Sequence, residues 1–215
     1  MIAPSGDSNR TAESPIVALK IVKSELARDR RYIDMFRDEA SILSRMNHPN
    51  IVRTLEFGVT GHHRYIAMEL LLGRTVAEMW EACEAQGKRF ASPLVAWLGA
   101  RIASALHYAH TLTDEHDAPL HVVHRDANPA NVVVCADGDV KLIDFGLAKS
   151  AKRFARTEDG IVKGKVPYLA PEQIVEEEVD GRSDVFALGA SLWELLAMRR
   201  LFKRDNDLDT IRAIR

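Results

Sequence analysis

Two short apolar runs, Val132-Val133-Val134 and Val140-Lys141-Leu142-Ile143, flank Ala136-Asp137-Gly138-Asp139. They predict a β-hairpin, with an Asp-Gly turn between β-rich runs. This hairpin constrains the fold because of what stands at its open ends. His124-Arg125-Asp126-Ala127-Asn128-Pro129-Ala130-Asn131 leads in, and Asp144-Phe145-Gly146 leads out. A hairpin brings both ends to one rim, so Asp126, Asn131 and Asp144 converge although they are far apart along the chain. Such a set of oxygens suits a hard divalent cation that keeps several waters, takes one or two carboxylates and completes its shell from phosphate. Magnesium with a nucleotide is the expectation, and an ordinary acidic hairpin is the plainer alternative.

A chain of 215 residues can bury a real core, as one large domain or two small lobes. Lys and Arg number 29 against 31 Asp and Glu, so no global charge bias points to nucleic acid or an anionic membrane. Cys83 and Cys135 are the only cysteines and lack metal-like spacing, which argues against a disulfide framework or structural zinc. The first residues, 1–15, are rich in Pro, Gly, Ser, Asn, Asp and Thr and read as loop, with no apolar signal core. No apolar run reaches the roughly 18 residues a bilayer span needs. A reducing, cytoplasmic setting is therefore expected.

Along the chain, Ile16 to Val22 predicts a strand whose alternation puts Ala18, Lys20 and Val22 on one face. A lone strand lysine commonly snorkels to solvent. Residues 30–46 carry Ile33, Phe36, Ala40, Leu43 and Met46 at helical spacing, with Glu39 beside the apolar stripe. A lysine facing a cleft needs such an anion nearby to stay charged. His48-Pro49-Asn50 ends the helix, a strand with Leu55 and Phe57 inward follows, and Tyr65 to Leu70 predicts another. From there the pattern turns helical. Thr75–Ala85 is one helix; Ser92-Pro93 caps a second that runs to about Thr111, with Leu94, Leu98, Ile102, Ala105, Leu106 and Ala109 inward. Thr113–His121 reads as surface loop. His107, His110, His116 and His121 lie near it without a carboxylate or Cys at ligand spacing, so no metal site is expected there. Leu147–Val166 is basic and poor in large apolar residues. Ser183 is expected to cap a helix over Asp184–Met198, apolar nearly all round and hence buried, and residues 201–215 show one further helical start.

His-Arg-Asp followed by Asn131, Asp144-Phe145-Gly146, Val17-Ala18-Leu19-Lys20 and Ala170-Pro171-Glu172 together resemble the eukaryotic-type serine/threonine protein kinases, including their bacterial members. The resemblance spans nearly all of residues 16–212. It implies an α+β, two-lobe fold: a small N-terminal antiparallel sheet plus one helix over 16–72, lacking the first two strands, then a larger, mostly helical lobe over 73–215. It implies ATP and Mg2+ as cofactors and proteins as substrates; the charge balance and the lack of a long apolar run add the expectation of no nucleic acid and no membrane span. Asp126 would accept or orient the substrate hydroxyl, Asn131 and Asp144 would hold the metal, and Lys20, paired with Glu39, would hold the phosphates. Met68, Glu69, Leu71 and Val133 would line the adenine site. Arg125 would await a phosphate on the basic segment, where Thr157 is the candidate acceptor. Asp184 would anchor the catalytic loop from below.

Three departures qualify this picture. Asn128 stands where serine/threonine kinases usually carry Lys, and Lys165 where Thr is usual, so the positive charge is expected to have crossed the cleft, with Lys165 approaching Asp126. No Gly-rich phosphate loop precedes Lys20. The pattern stops soon after the helix ending at Met198, which leaves Glu172 without the arginine that pairs with it in relatives, a defect costing about 3–5 kcal/mol if buried. The expectation is thus an ATP-dependent protein serine/threonine kinase truncated at both ends, with a non-catalytic scaffold as the rival and a small-molecule phosphotransferase a distant third.

Overall fold

The computed structural model describes residues 16–22, 30–61, 63–145, 165–175 and 177–215, and only the backbone of 31, 32, 35, 38 and 39. The expectations placed on Gly146, on the basic segment with Thr157, and on the Glu39 side chain lie outside the described residues.

The architecture is α+β. A three-stranded antiparallel sheet comes first, with β1 (Val17–Ile21), β2 (Thr54–Thr60) and β3 (His63–Glu69) in the order β1-β3-β2 and Lys20 opposite Ile66. Leu19 and Ile21 point outward and are exposed, while Val22 is buried against the core, as the alternation of a one-sided sheet requires. Helix α1 (Arg30–Arg45) packs on this sheet through Phe36, Ala40 and Leu43, with the rings of Phe36 and Phe57 5.8 Å apart. Leu55 is exposed, contrary to the inward expectation. The β2–β3 register shifts between Thr54 and Glu56, so Leu55 is the extra residue of an irregularity and loses its place in the alternation.

The second sheet is also antiparallel, with β4 (Gly73–Thr75), β5 (Val132–Cys135) and β6 (Val140–Leu142) in the order β4-β5-β6; β5 and β6 are the expected hairpin. A Cβ on Gly73 would lie 2.3 Å from the Val134 carbonyl oxygen, so only glycine lets β4 approach β5 this closely. Thr75 then caps α2 (Val76–Ala85) in a reciprocal capping box with Glu78.

The core of this half is α3 (Ser92–His110) against α5 (Gly181–Ala197), with the short α4 (Pro171–Ile174) before α5 and α6 (Asp207–Ile214) after it. Two expected caps move. Ala91 is the N-cap of α3, and Ser92 and Pro93 are its first residues. In α5 the cap is Asp180, whose Oδ1 accepts the Arg182 N–H at 2.8 Å. An aspartate caps as well as a serine, and the earlier start turns Ser183 and Asp184 into the interior. Nor is α5 buried all round, since Val185 and Leu196 face outward.

The two halves are joined where the loop after α1 docks on β6. Val52 N–H donates to Leu142 O (3.0 Å), Leu142 N–H to Asn50 O (2.8 Å), and the Asn50 side-chain amide to Val140 O (2.9 Å). This contact sets the first sheet over the hairpin. No helix among the described residues is long and apolar enough to cross a membrane.

Candidate active site

The loop entering the hairpin is held from below by one buried carboxylate. Asp184 Oδ2 accepts the His124 N–H and Oδ1 the Arg125 N–H, each at 2.8 Å, and His110 Nε2 lies 2.8 Å from Oδ2. The imidazole can reach because position 181 is glycine; a Cβ there would sit 2.6 Å from the His110 ring. His124 ties the two ends of the hairpin together. Its Nδ1 accepts the Asp126 N–H at 3.2 Å, so the neutral ring carries its proton on Nε2, which donates to Ile143 O at 3.0 Å. Its ring centroid lies 4.5 Å from that of Phe145. Arg125 and Asp144 both adopt left-handed backbone, at φ 64° and 57°. Each costs on the order of 1–3 kcal/mol and persists because the surrounding hydrogen bonds over-determine it.

On this frame Asp126 is buried, with its two carboxylate oxygens addressed from opposite sides. Asn128 Nδ2 donates to Oδ1 at 2.7 Å, and Lys165 Nζ donates to Oδ2. The Asn128 Oδ1 in turn accepts the Ala130 N–H, capping the turn Pro129–Asn131. The Asn131 Nδ2 donates to Asp126 O at 2.8 Å, and Ile143 N–H donates to Asn131 O at 2.9 Å, stitching the two acidic loops to each other. From the first sheet, Lys20 Nζ lies 3.2 Å from Asp144 Oδ1, with side chains 35% and 50% exposed. Lys20, Asp126, Asn131 and Asp144 are therefore on one rim.

These donors fit a hard cation. With its nitrogen committed to Asp126 O, Asn131 has its carbonyl oxygen to offer, and Asp144 presents a half-exposed carboxylate; magnesium needs only one or two such groups beside phosphate and water. Among the described residues no three His, Cys, Asp or Glu side chains cluster as a metal cage. A phosphate-completed site does not need one.

Of the residues expected around adenine, Met68 and Glu69 close β3, Leu71 follows in the crossover to β4, and Val133 is buried on β5. Glu39 lies on α1. The expected Arg125 guanidinium is half-buried, and burial holds its pKa below the ordinary value against the opposing charge of Asp184.

Several contacts were not legible in the sequence. His110, for which the sequence offers no metal-ligand spacing, braces Asp184. Glu172 is not orphaned, for the buried Ser183 hydroxyl donates to it. Glu194, buried inside α5, accepts from Tyr168 OH (2.8 Å), Arg200 (2.9 Å) and Leu201 N–H (3.0 Å). Burial and then the charge of Glu194 push the Tyr168 hydroxyl well above its ordinary pKa. Glu69 Oε1 accepts the Arg53 N–H at 2.8 Å and pairs with Lys141 Nζ at 3.0 Å. Apart from Arg200 and Leu201, which follow Glu194 closely, these partners lie 11 or more residues away, and no local pattern marks them.

The protein kinase domain family model matches residues 8–215. The chain is 40% identical over 92% of its length to the tyrosine-protein kinase MasK of Myxococcus xanthus, covering 31% of that protein. It is 35% identical over 89% of its length to the serine/threonine-protein kinase PknL of Mycobacterium tuberculosis, covering 45% of it. It is 32% identical over 89% of its length to the serine/threonine-protein kinase PknA of the same species, covering 43%. The chain thus spans less than half the length of these curated relatives. With the fold, the joined acidic loops and this match in agreement, the chain belongs to the protein kinase domain family.

Proposed function

We propose that this domain transfers the γ-phosphoryl group of ATP to a serine or threonine hydroxyl of a protein substrate. The observation that carries the reading is the 3.2 Å approach of Lys20 to Asp144, which brings a cation from the first sheet to the acidic end of the hairpin. Asp126 accepts or orients the substrate hydroxyl; Lys20, with Glu39, holds phosphate oxygens; Met68, Glu69, Leu71 and Val133 form the adenine site. Asn131 and Asp144 would hold magnesium, which would supply positive charge to offset that of the phosphate oxygens. Lys165 and Asn128 replace the usual Lys and Thr pair: Lys165 supplies the cation beside the transferred phosphoryl group and Asn128 fixes the carboxylate of Asp126. Most of the rate enhancement then comes from positioning and charge neutralisation in a loose, anionic transition state. Residues 16–72 and 73–215 act as the two lobes around this cleft, in a cytoplasmic setting.

One relative at 40% identity is named a tyrosine kinase, which favours a tyrosine hydroxyl as the second reading of the acceptor. Labelled ATP, magnesium and a generic basic protein, incubated with the chain and with its Asp126→Ala variant, test the activity. Phosphoamino-acid analysis of the product identifies the acceptor. Label that depends on Asp126 and resides on serine or threonine is expected. Equal label from both proteins overturns catalysis and leaves a scaffold, and label on tyrosine overturns the acceptor.

A further inference from the structure

The ion pair of Lys141 and Glu69 is separate from the groups that would touch phosphate or metal, yet it joins three elements at one point. Glu69 is the last residue of β3, where the chain leaves the first sheet for the crossover 70–72. Its backbone N–H donates to Arg53 O at 3.0 Å, and its Oε1 accepts the Arg53 N–H at 2.8 Å, so strand end and carboxylate grip the same residue. The same Oε1 takes Lys141 Nζ at 3.0 Å, and Lys141 is the middle residue of β6. The far end of the crossover is also tied to the hairpin, since Ala136 N–H donates to Leu72 O at 2.8 Å. Between these two ties the crossover itself is open, with Leu70 and Leu72 exposed.

Lys141 is well placed to transmit position. Its side chain is 13% exposed and that of Glu69 28%, so solvent screens the pair less than a surface one. Across the ladder Lys141 is paired with Val133, and directly opposed residues share a sheet face, so the ammonium lies beside the side chain placed under adenine. Two residues beyond Lys141, Ile143 donates to Asn131 O, and Asp144 follows. One short strand therefore connects the crossover, where adenine is placed, with the acidic rim where phosphate and metal are placed.

We propose that Lys141 is a positioning residue for the nucleotide. By holding Glu69, it fixes the crossover 70–72 at a set distance from Val133 and the acidic rim and so sets the affinity for MgATP. This rests on the reading of the cleft as a nucleotide site. A cation without this geometry cannot substitute for it, but arginine can, because its guanidinium reaches the same carboxylate and stays charged. The chemical step is untouched, because the pair is held to Arg53 and to itself, whereas the Asp126 carboxylate is held by Asn128 and Lys165.

The test is MgATP binding by titration calorimetry on the purified chain, with Lys141→Met, Lys141→Arg and Glu69→Gln beside it, and steady-state kinetics where the chain turns over. Lys141→Met and Glu69→Gln should weaken MgATP binding on the order of 3- to 10-fold, raising KM for ATP by the same factor. At saturating MgATP, kcat of Lys141→Met should remain within about twofold of the parent, and Lys141→Arg should bind as the parent does. A parent that binds MgATP while Lys141→Met binds it equally well overturns the positioning role alone. A parent that binds no MgATP overturns the nucleotide reading and this inference with it. Loss of kcat with unchanged KM places Lys141 in the chemistry and overturns the inference too.

Discussion

Asn128 and Lys165 hold the two carboxylate oxygens of Asp126 between them, Asn128 at Oδ1 and Lys165 at Oδ2. Lys165 arrives just ahead of the turn Val166–Tyr168, and under the proposed function it takes the place of the lysine that serine/threonine kinases usually carry at the position of Asn128. If that charge steadies the transferred phosphoryl group, Lys165→Met should lower kcat by about 10²-fold, the scale of removing one preorganised donor from a transition state. Restoring the usual arrangement in the double variant Asn128→Lys, Lys165→Thr should recover at least part of the loss. Initial rates with MgATP and a protein substrate read both, and undiminished turnover of Lys165→Met would exclude the role.

The Lys20–Asp144 pair should matter to nucleotide use and little to stability. Its members are 35% and 50% exposed, and pairs this wet contribute about 0–1 kcal/mol. Lys20→Met should therefore leave the urea midpoint of the free protein nearly unchanged while kcat/KM for MgATP falls by about 10²-fold. A large stability loss at unchanged kcat/KM would make the lysine structural.

Asp184 should behave in the opposite way. It is 1% exposed and accepts the backbone N–H groups of His124 and Arg125 as well as His110. Asp184→Ala strands those buried donors, each costing about 1–3 kcal/mol. Equilibrium urea unfolding should show a loss of at least about 2 kcal/mol, and amide exchange at His124 and Arg125 should quicken. A midpoint within experimental error of the parent would mean that the loop holds itself.

What could be read from the sequence was what local chemistry specifies. The β5–β6 hairpin follows from an Asp-Gly turn between β-branched runs, and α1 and α3 from apolar residues at helical spacing. The acidic rim could be located because the hairpin's geometry carries residues at its ends together. Leu55 was misplaced because a register irregularity breaks the alternation without a Gly or Pro to announce it. The start of α5 was missed because Asp180 and Ser183 are equally good caps, and what chooses between them is the interior fit of Ser183 to Glu172 and Asp184 to the loop. His110 and Lys141 carry no sequence mark at all. Each acquires its meaning from a carboxylate that only tertiary packing brings within 3.0 Å.

The loop that docks the first half onto the second should make stability depend on pH through His48. Its Nδ1 accepts the Asn50 N–H at 3.1 Å, which leaves Nε2 to donate to Ser104 Oγ at 3.2 Å, and the ring lies against Tyr108 at 5.1 Å. Only the neutral ring can accept at Nδ1. Burial first, and the charge of Lys141 second, accordingly hold its pKa below the ordinary 6.5. A group with a depressed folded pKa that is charged when protonated takes up its proton more readily in the unfolded chain. Stability from His48 is thus present above about pH 6.5 and is lost as pH falls from 6.5 through the lower folded value. Between pH 7.5 and 5.5, roughly a unit either side of the ordinary histidine value, the melting temperature of the parent should fall more than that of His48→Gln. Gln at this position can still serve Ser104 but does not titrate. Parallel curves for the two proteins would remove His48 from the pH response and assign it to the remaining histidines.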